Sequence, residues 1–137
     1  MHKLNCILLI DDDNINNYLN ERLIKRLNVA HDVKVTFNGE EGLGFINHHC
    51  KTNNNCCPEL ILLDINMPVM DGFDFLREFE KLPIANRKNV NITILTSSSN
   101  SKDISTLKEL GNFDFINKPL TEEKLFNCLI KATSHPA

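Results

Sequence analysis

Leu60–Leu76 reads LILLDINMPVMDGFDFL, and its first four residues form an unbroken apolar run that ends on a carboxylate, Asp64. A run this short and continuous suits a strand covered on both faces, as in a parallel sheet; a half-exposed strand would alternate. Beyond it, Gly72 precedes a helical pattern marked by Phe75, Phe79 and Leu82. Strand, polar terminus and helix make one βα unit, and the rest of the chain repeats it.

Leu4–Ile10 (LNCILLI) and Ile92–Leu95 (ITIL) carry the same continuous apolar character. Val33–Phe37 (VKVTF) alternates and Phe113–Ile116 (FDFI) does so in part, which suggests half-exposed edge strands. Between them, Ile15, Leu19, Leu23 and Leu27 recur every fourth residue, with Ile24 widening the stripe, and predict a first helix. The second helix, near Glu40–Asn47, is weaker. Gly42 and Gly44 each cost it up to ~1 kcal/mol relative to Ala, so it is expected to be short or mobile. Ile104, Leu107 and Leu110 mark a fourth helix with Gly111 as its stop. Thr121 caps a fifth, helped by Glu122 and Glu123 at the positive end of the dipole, and Leu125, Cys128 and Leu129 face the core. Five such units predict an α/β fold, an open doubly wound parallel sheet with helices on both faces. The order 2-1-3-4-5 is taken over from flavodoxin-like folds; it puts the two alternating strands at the edges.

The chain has 137 residues, room for one domain, with 42% apolar residues and a net charge of −3. That balance gives no global pull toward nucleic acid or anionic lipid. No apolar run has the length of a membrane span or of a signal-peptide core. The five cysteines follow no disulfide-framework spacing and are read as reduced thiols of a cytoplasmic protein, with Cys6 and Cys128 in the core. His48, His49, Cys50, Cys56 and Cys57 sit in a polar, Asn-rich stretch without a C-x-x-C pair, and are read as a surface loop with no built metal site. Asn86–Asn89 reads as a solvated basic loop; no aromatic residues interleave it.

Polar residues collect where these strands end. Asp11, Asp12 and Asp13 follow the first, Asp64 ends the third, Thr96 ends the fourth and Lys118 lies just past the fifth. In open α/β sheets ligands bind beyond the carboxyl ends of the strands, where the strand order reverses. Each residue alone has a plain explanation as a cap, a turn or a loop. Together they describe a chemistry. Carboxylates crowded on one rim repel, and a hard divalent cation relieves that repulsion; Mg²⁺ fits because it exchanges waters for phosphate oxygens. A carboxylate can serve as the nucleophile of phosphoryl transfer, giving an acyl phosphate. Such transfer needs positioning and positive charge around the equatorial oxygens, which Mg²⁺ and Lys118 supply while Thr96 donates a hydrogen bond.

The stretches ILLIDDDN, LILLDINMPVMDGFDFL, ITILTSSS and FDFINKPL resemble, in order, the blocks that define receiver domains of two-component response regulators, from about Leu4 to Ala132. The resemblance implies that Asp64 is the phosphoacceptor. It implies that Asp12 and Asp64 bind Mg²⁺ directly, with the Asn66 backbone carbonyl as a further ligand and Asp11 acting largely through a coordinated water. Asp13 is read as a cap for the first helix. Lys118 pairs with Asp64 and then with the phosphoryl group, and the Lys118–Pro119 bond is expected to be cis. Thr96 and Phe115 form the switch: the hydroxyl moves toward the phosphoryl oxygens and the ring rotates inward. Asn66 and Ser98 tune hydrolysis of the phosphate, and Pro68 and Gly72 shape the loop that starts the third helix.

The expected donor is a sensor histidine kinase or histidine phosphotransfer protein docking near Asn14–Tyr18. The expected output is binding or release of a target protein at the face of the fourth helix, fifth strand and fifth helix, with no direct nucleic-acid or membrane partner. The chain is expected to be a monomer or weak dimer and a switch rather than an enzyme. Residues 4–132 form the receiver, and 133–137 a tail with no output domain, which favours a stand-alone regulator over a piece of a larger regulator or hybrid kinase. The rival reading is a haloacid-dehalogenase-like phosphatase built on Asp11-x-Asp13. Ile15 stands where that family needs a small residue, and no cap domain fits the length.

Overall fold

The computed structural model describes residues 3–51, 57–65, 67, 70–83, 90–96, 101–111 and 113–133. Five strands and five helices alternate: β1 (Leu4–Ile10), α1 (Asn14–Leu27), β2 (Ala30–Thr36), α2 (Gly39–His49), β3 (Leu60–Asp64), α3 (Gly72–Phe79), β4 (Asn91–Thr96), α4 (Ser101–Leu110), β5 (Asp114–Asn117) and α5 (Glu122–Thr133). The strands form one sheet in the order β2-β1-β3-β4-β5, and all four pairings are parallel. The flavodoxin-like order holds, and the two alternating strands are the edges.

Side chains alternate between the faces of a strand, and each face here has its own core. Leu8, Ile10, Ile61, Leu63, Ile92 and Ile94 pack with Ile46 of α2 and with Phe75, Leu76 and Phe79 of α3. Ile7, Leu9, Leu60, Leu62 and Leu95 pack with Ile24 of α1 and with Leu125, Cys128 and Leu129 of α5. Both faces being covered is why β1, β3 and β4 read as continuous apolar runs.

Three expectations need correction. The first is the stripe of α1. Ile15 is 69% exposed and Leu19 54%, whereas Asn17 and Ile24 are buried. At 3.6 residues per turn a row of every fourth residue drifts by about 40° per step, so Ile15 to Leu27 winds through roughly 120°. Asn17 and Ile24, seven residues apart, hold the inward face. Ile15 and Leu19 lie opposite it, while Leu23 and Leu27 pack at the margin of the second core.

The second is α2, which is not short but runs 11 residues. Its start is held reciprocally: Glu41 N donates to Asn38 Oδ1 at 2.8 Å, and the Glu41 carboxylate accepts from Phe37 N at 3.0 Å. Gly42 costs propensity but allows close packing, since a Cβ there would meet Ile10 Cδ1 at 2.5 Å.

The third concerns the cysteines. Cys6 and Cys128 are buried thiols as expected, but Cys50 and Cys57 form a disulfide. Cys50 caps the C-terminus of α2 and Cys57 leads into β3; the returning chain brings their Cα atoms to 4.9 Å, within disulfide range. Cys56 and Asn86–Asn89 lie outside the described residues, as do the side chains of Ile104 and Leu107. At α5 the predicted cap is in place, with Lys124 N donating to Thr121 Oγ1 at 3.3 Å.

Candidate functional site

The register of the central strands aligns their carboxyl ends. Ile10 is paired with Leu63, Asp64 with Leu95 and Thr96 with Asn117. Asp11 and Asp64, each one residue beyond the Ile10–Leu63 pair, therefore sit side by side on the rim. Both are buried, at 2% and 3% exposure, and Asp12 is exposed. One carboxylate oxygen from each of Asp11, Asp12 and Asp64 lies within 4.8 Å of the others, the only such group of potential metal ligands found among the described residues.

Lys118 reaches this cluster from the far side. Its Nζ stands 3.3 Å from Asp11 Oδ2 and 3.3 Å from Asp64 Oδ1. Burial is the largest single influence on this ammonium and opposes its charge. The neighbouring Asp64 and Asp11 carboxylates and their hydrogen bonds outweigh it, so the pKa is raised above the ordinary lysine value. The backbone fixes the lysine as well. Lys118 N donates to Thr96 O at 2.9 Å, and the Lys118–Pro119 peptide is cis, as expected. Lys124 Nζ, one turn into α5, donates to Asn117 O at 2.8 Å and to Pro119 O at 3.3 Å, holding the segment on both sides of Lys118.

Asp13 is the N-cap of α1: its Oδ1 accepts from Ile15 N at 2.8 Å and Asn16 N at 3.2 Å. That role takes it out of the acidic cluster and removes the general acid that the phosphatase reading required. Gly72 lies where α3 meets the residue after Asp64: Gly72 N donates to Ile65 O at 3.0 Å, and a Cβ at this position would meet Ile65 Cα at 2.6 Å. The loop carrying Asp64 and the start of α3 can touch only because residue 72 has no side chain.

Thr96 is buried at the end of β4, and Phe115, partly buried on β5, packs against the core on the α2 and α3 side of the sheet. Ile94 is paired with Phe115, so the two candidate switch residues occupy adjacent strands. Asn66, Pro68 and Ser98 lie outside the described residues.

Two contributors were not anticipated. Lys124, which holds the segment around Lys118, is one. Asn17 is 2% exposed, and its Nδ2 donates to Asp11 O at 2.7 Å. A polar residue seven positions before the buried Ile24 is the signal that marks it, once the inward face of α1 is known.

The cluster fits Mg²⁺ by its chemistry. Its donors are hard carboxylate oxygens, and two buried carboxylates share one ammonium with the exposed Asp12 alongside. The three oxygens lie within 4.8 Å of one another, close to the about 4.2 Å that a six-coordinate Mg²⁺ would span between opposite ligands.

Comparison with known proteins identifies the family. The sequence model of the response regulator receiver domain matches residues 7–130. The probable C4-dicarboxylate response regulator DctR of Halalkalibacterium halodurans is 35% identical over 119 residues, covering 87% of this chain but 47% of that protein. Two-component response regulator 24 of Arabidopsis thaliana is 32% identical over 124 residues, covering 90% of this chain and 81% of that one. The chain thus spans about half of the first relative and most of the second. The receiver domain of the histidine kinase CKI1 from Arabidopsis thaliana, solved in complex with Mg²⁺ and BeF₃⁻, superposes with a TM-score of 0.80 over 96% of this chain and 91% of that one, at 21% identity, a likeness of fold. With a matching sequence model over nearly its whole length and a rim of acids and lysine on a five-stranded parallel sheet, the chain belongs to the response regulator receiver domain family.

Proposed function

We propose that Asp64 is the phosphoacceptor of this receiver, and that residues 4–132 carry the switch. The observation that supports it most is the position of Asp64: buried, at the carboxyl end of the central strand, with Lys118 Nζ 3.3 Å from its carboxylate and two further carboxylates alongside. In the transfer, an Asp64 carboxylate oxygen forms a bond to phosphorus as the phosphorus–nitrogen bond of a donor phosphohistidine breaks. The electron pair stays on the departing imidazole nitrogen. Lys118 moves its charge from the Asp64 carboxylate to the incoming phosphoryl oxygens, and the Thr96 hydroxyl donates to another of them. Asp11, Asp12 and Asp64, with the Asn66 carbonyl, would hold Mg²⁺, which supplies charge neutralisation at the phosphoryl oxygens. Asn66 and Ser98 set how readily water reaches the phosphate. In this reading the chain promotes its own phosphorylation and dephosphorylation and turns over no separate substrate.

The partners follow from what the surface offers. Ile15, Tyr18 and Leu19 are exposed on α1 at 69%, 57% and 54%, an apolar face beside the site. A groove of about 680 Å³ runs from this helix to Lys118, Pro119 and Leu120. A sensor histidine kinase or histidine phosphotransfer protein docking there brings its phosphohistidine over Asp64. Movement of Thr96 and Phe115 then shifts the population of states at the face of α4, β5 and α5, where Ile130 is 54% exposed and a target protein binds.

The test is intact-protein mass after incubation with a small acyl phosphate, with and without Mg²⁺. One phosphoryl adduct that requires Mg²⁺ and disappears in Asp64→Asn is expected. An adduct that survives in Asp64→Asn contradicts the assignment.

A further inference from the structure

Asn17 is an odd residue to find facing inward on α1. It is 2% exposed on the face it shares with Ile24, where leucine, with the same heavy-atom count and branching, would bury apolar surface at no polar cost. Its orientation is dictated by its partner. The Asp11 carbonyl can only accept, so the amide nitrogen must face it, at 2.7 Å. The other end of the amide is then stranded: among the described residues nothing donates to the buried Asn17 Oδ1. An orphaned buried acceptor is costly, and its retention asks for an explanation outside packing.

The explanation lies in what the amide holds. Asp11 is fixed at four atoms. Its backbone N donates to Thr36 O at 3.2 Å, and its Oδ1 accepts from Asp13 N at 2.9 Å. Its Oδ2 faces Lys118 Nζ at 3.3 Å, and its carbonyl takes the Asn17 amide. The first three are groups any strand-to-helix turn beside a lysine could provide. The Asn17 contact alone comes from a side chain of the helix interior, and it ties the peptide between Asp11 and Asp12 to the rigid body of α1. That peptide sets the directions of two of the three clustered carboxylates.

We infer that Asn17 is a positioning residue for the cation site: through the Asp11 carbonyl it holds Asp11 and Asp12 in the arrangement that a divalent cation uses. The inference rests on the acidic cluster being a Mg²⁺ site. Partners one shell beyond the ligands typically govern metal affinity by 10- to 100-fold, and the effect expected here is about tenfold.

The experiment compares wild type, Asn17→Leu and Ile24→Val, the last loosening the same buried face of α1 without touching Asp11. Mg²⁺ alone is titrated into ¹⁵N-labelled protein and followed by amide shifts, and thermal melting is recorded in EDTA. Asn17→Leu should melt at or above wild type in EDTA yet bind Mg²⁺ about tenfold more weakly, while Ile24→Val melts lower and binds as wild type does. Should Leu not fit, Asn17→Ala carries the same expectation for Mg²⁺. Equal Mg²⁺ affinity in wild type and Asn17 variants overturns the inference while leaving the cation site intact. Equal weakening by Ile24→Val overturns it too, since general looseness would then suffice. Failure of wild type to bind Mg²⁺ overturns the site itself.

Discussion

Lys118 stands between two carboxylates that the parallel register forces together, and its charge is what makes that proximity tolerable without metal. Replacing it by methionine leaves Asp11 and Asp64 facing each other in a buried place. In EDTA at pH 7, Lys118→Met is expected to lose about 1–3 kcal/mol of unfolding free energy in urea, and added Mg²⁺ to restore most of it. The pH dependence has a definite sign. The folded pKa of Lys118 is raised, so its contribution is complete below the ordinary lysine value of 10.5 and declines only as pH rises through the folded value. The gap between wild type and variant should therefore hold from neutral pH to about 10.5 and narrow above it. At this scale the sequence was informative about charge and poor about amides. Asp11, Asp12, Asp64 and Lys118 announce themselves because ionised groups at strand ends are few and fall on one rim. Asn17 does not, because an asparagine in a run of Asn14, Asn16 and Asn20 reads as helix surface until the inward face of α1 is known.

Elements were legible in proportion to how fully their environment is apolar. β1, β3 and β4 are buried on both faces, so burial alone writes them as unbroken runs. α1 was legible as a helix but not in its rotation, because the four-residue row that marks it begins on the solvent side at Ile15 and Leu19. Those exposed residues carry a proposed docking face rather than core. The disulfide was illegible for another reason: a separation of seven residues says nothing about where the chain turns, and only the return from α2 to β3 pairs Cys50 with Cys57. α2 shows a conflict of magnitudes. Propensity favours alanine over Gly42 by about 1 kcal/mol, whereas overpacking a filled core costs about 1–3 kcal/mol. With Ile10 Cδ1 at 2.5 Å from the added carbon, packing wins. Gly42→Ala is expected to be less stable than wild type by about 1 kcal/mol in urea unfolding; a more stable variant would mean that α2 can move away from β1.

Over the whole molecule, one sheet joins the acidic rim to the surface proposed to report its state. Asp64 ends β3, Thr96 ends the neighbouring β4, and Phe115 lies on β5 at the sheet edge, so a change at the acid can pass through two adjacent strands without a long path. In the proposed switch the energetic content is a population shift, which a phosphoryl group can bias only by touching the two states differently. The measurement that tests this account most directly is the ¹H–¹⁵N spectrum of the protein with Mg²⁺, before and after a small acyl phosphate is added, beside Asp64→Asn. The account predicts new amide resonances in wild type that extend from Asp64 through β4 to Phe115 and α5, and none in Asp64→Asn. Changes confined to the acidic cluster, or the same changes in Asp64→Asn, would contradict it.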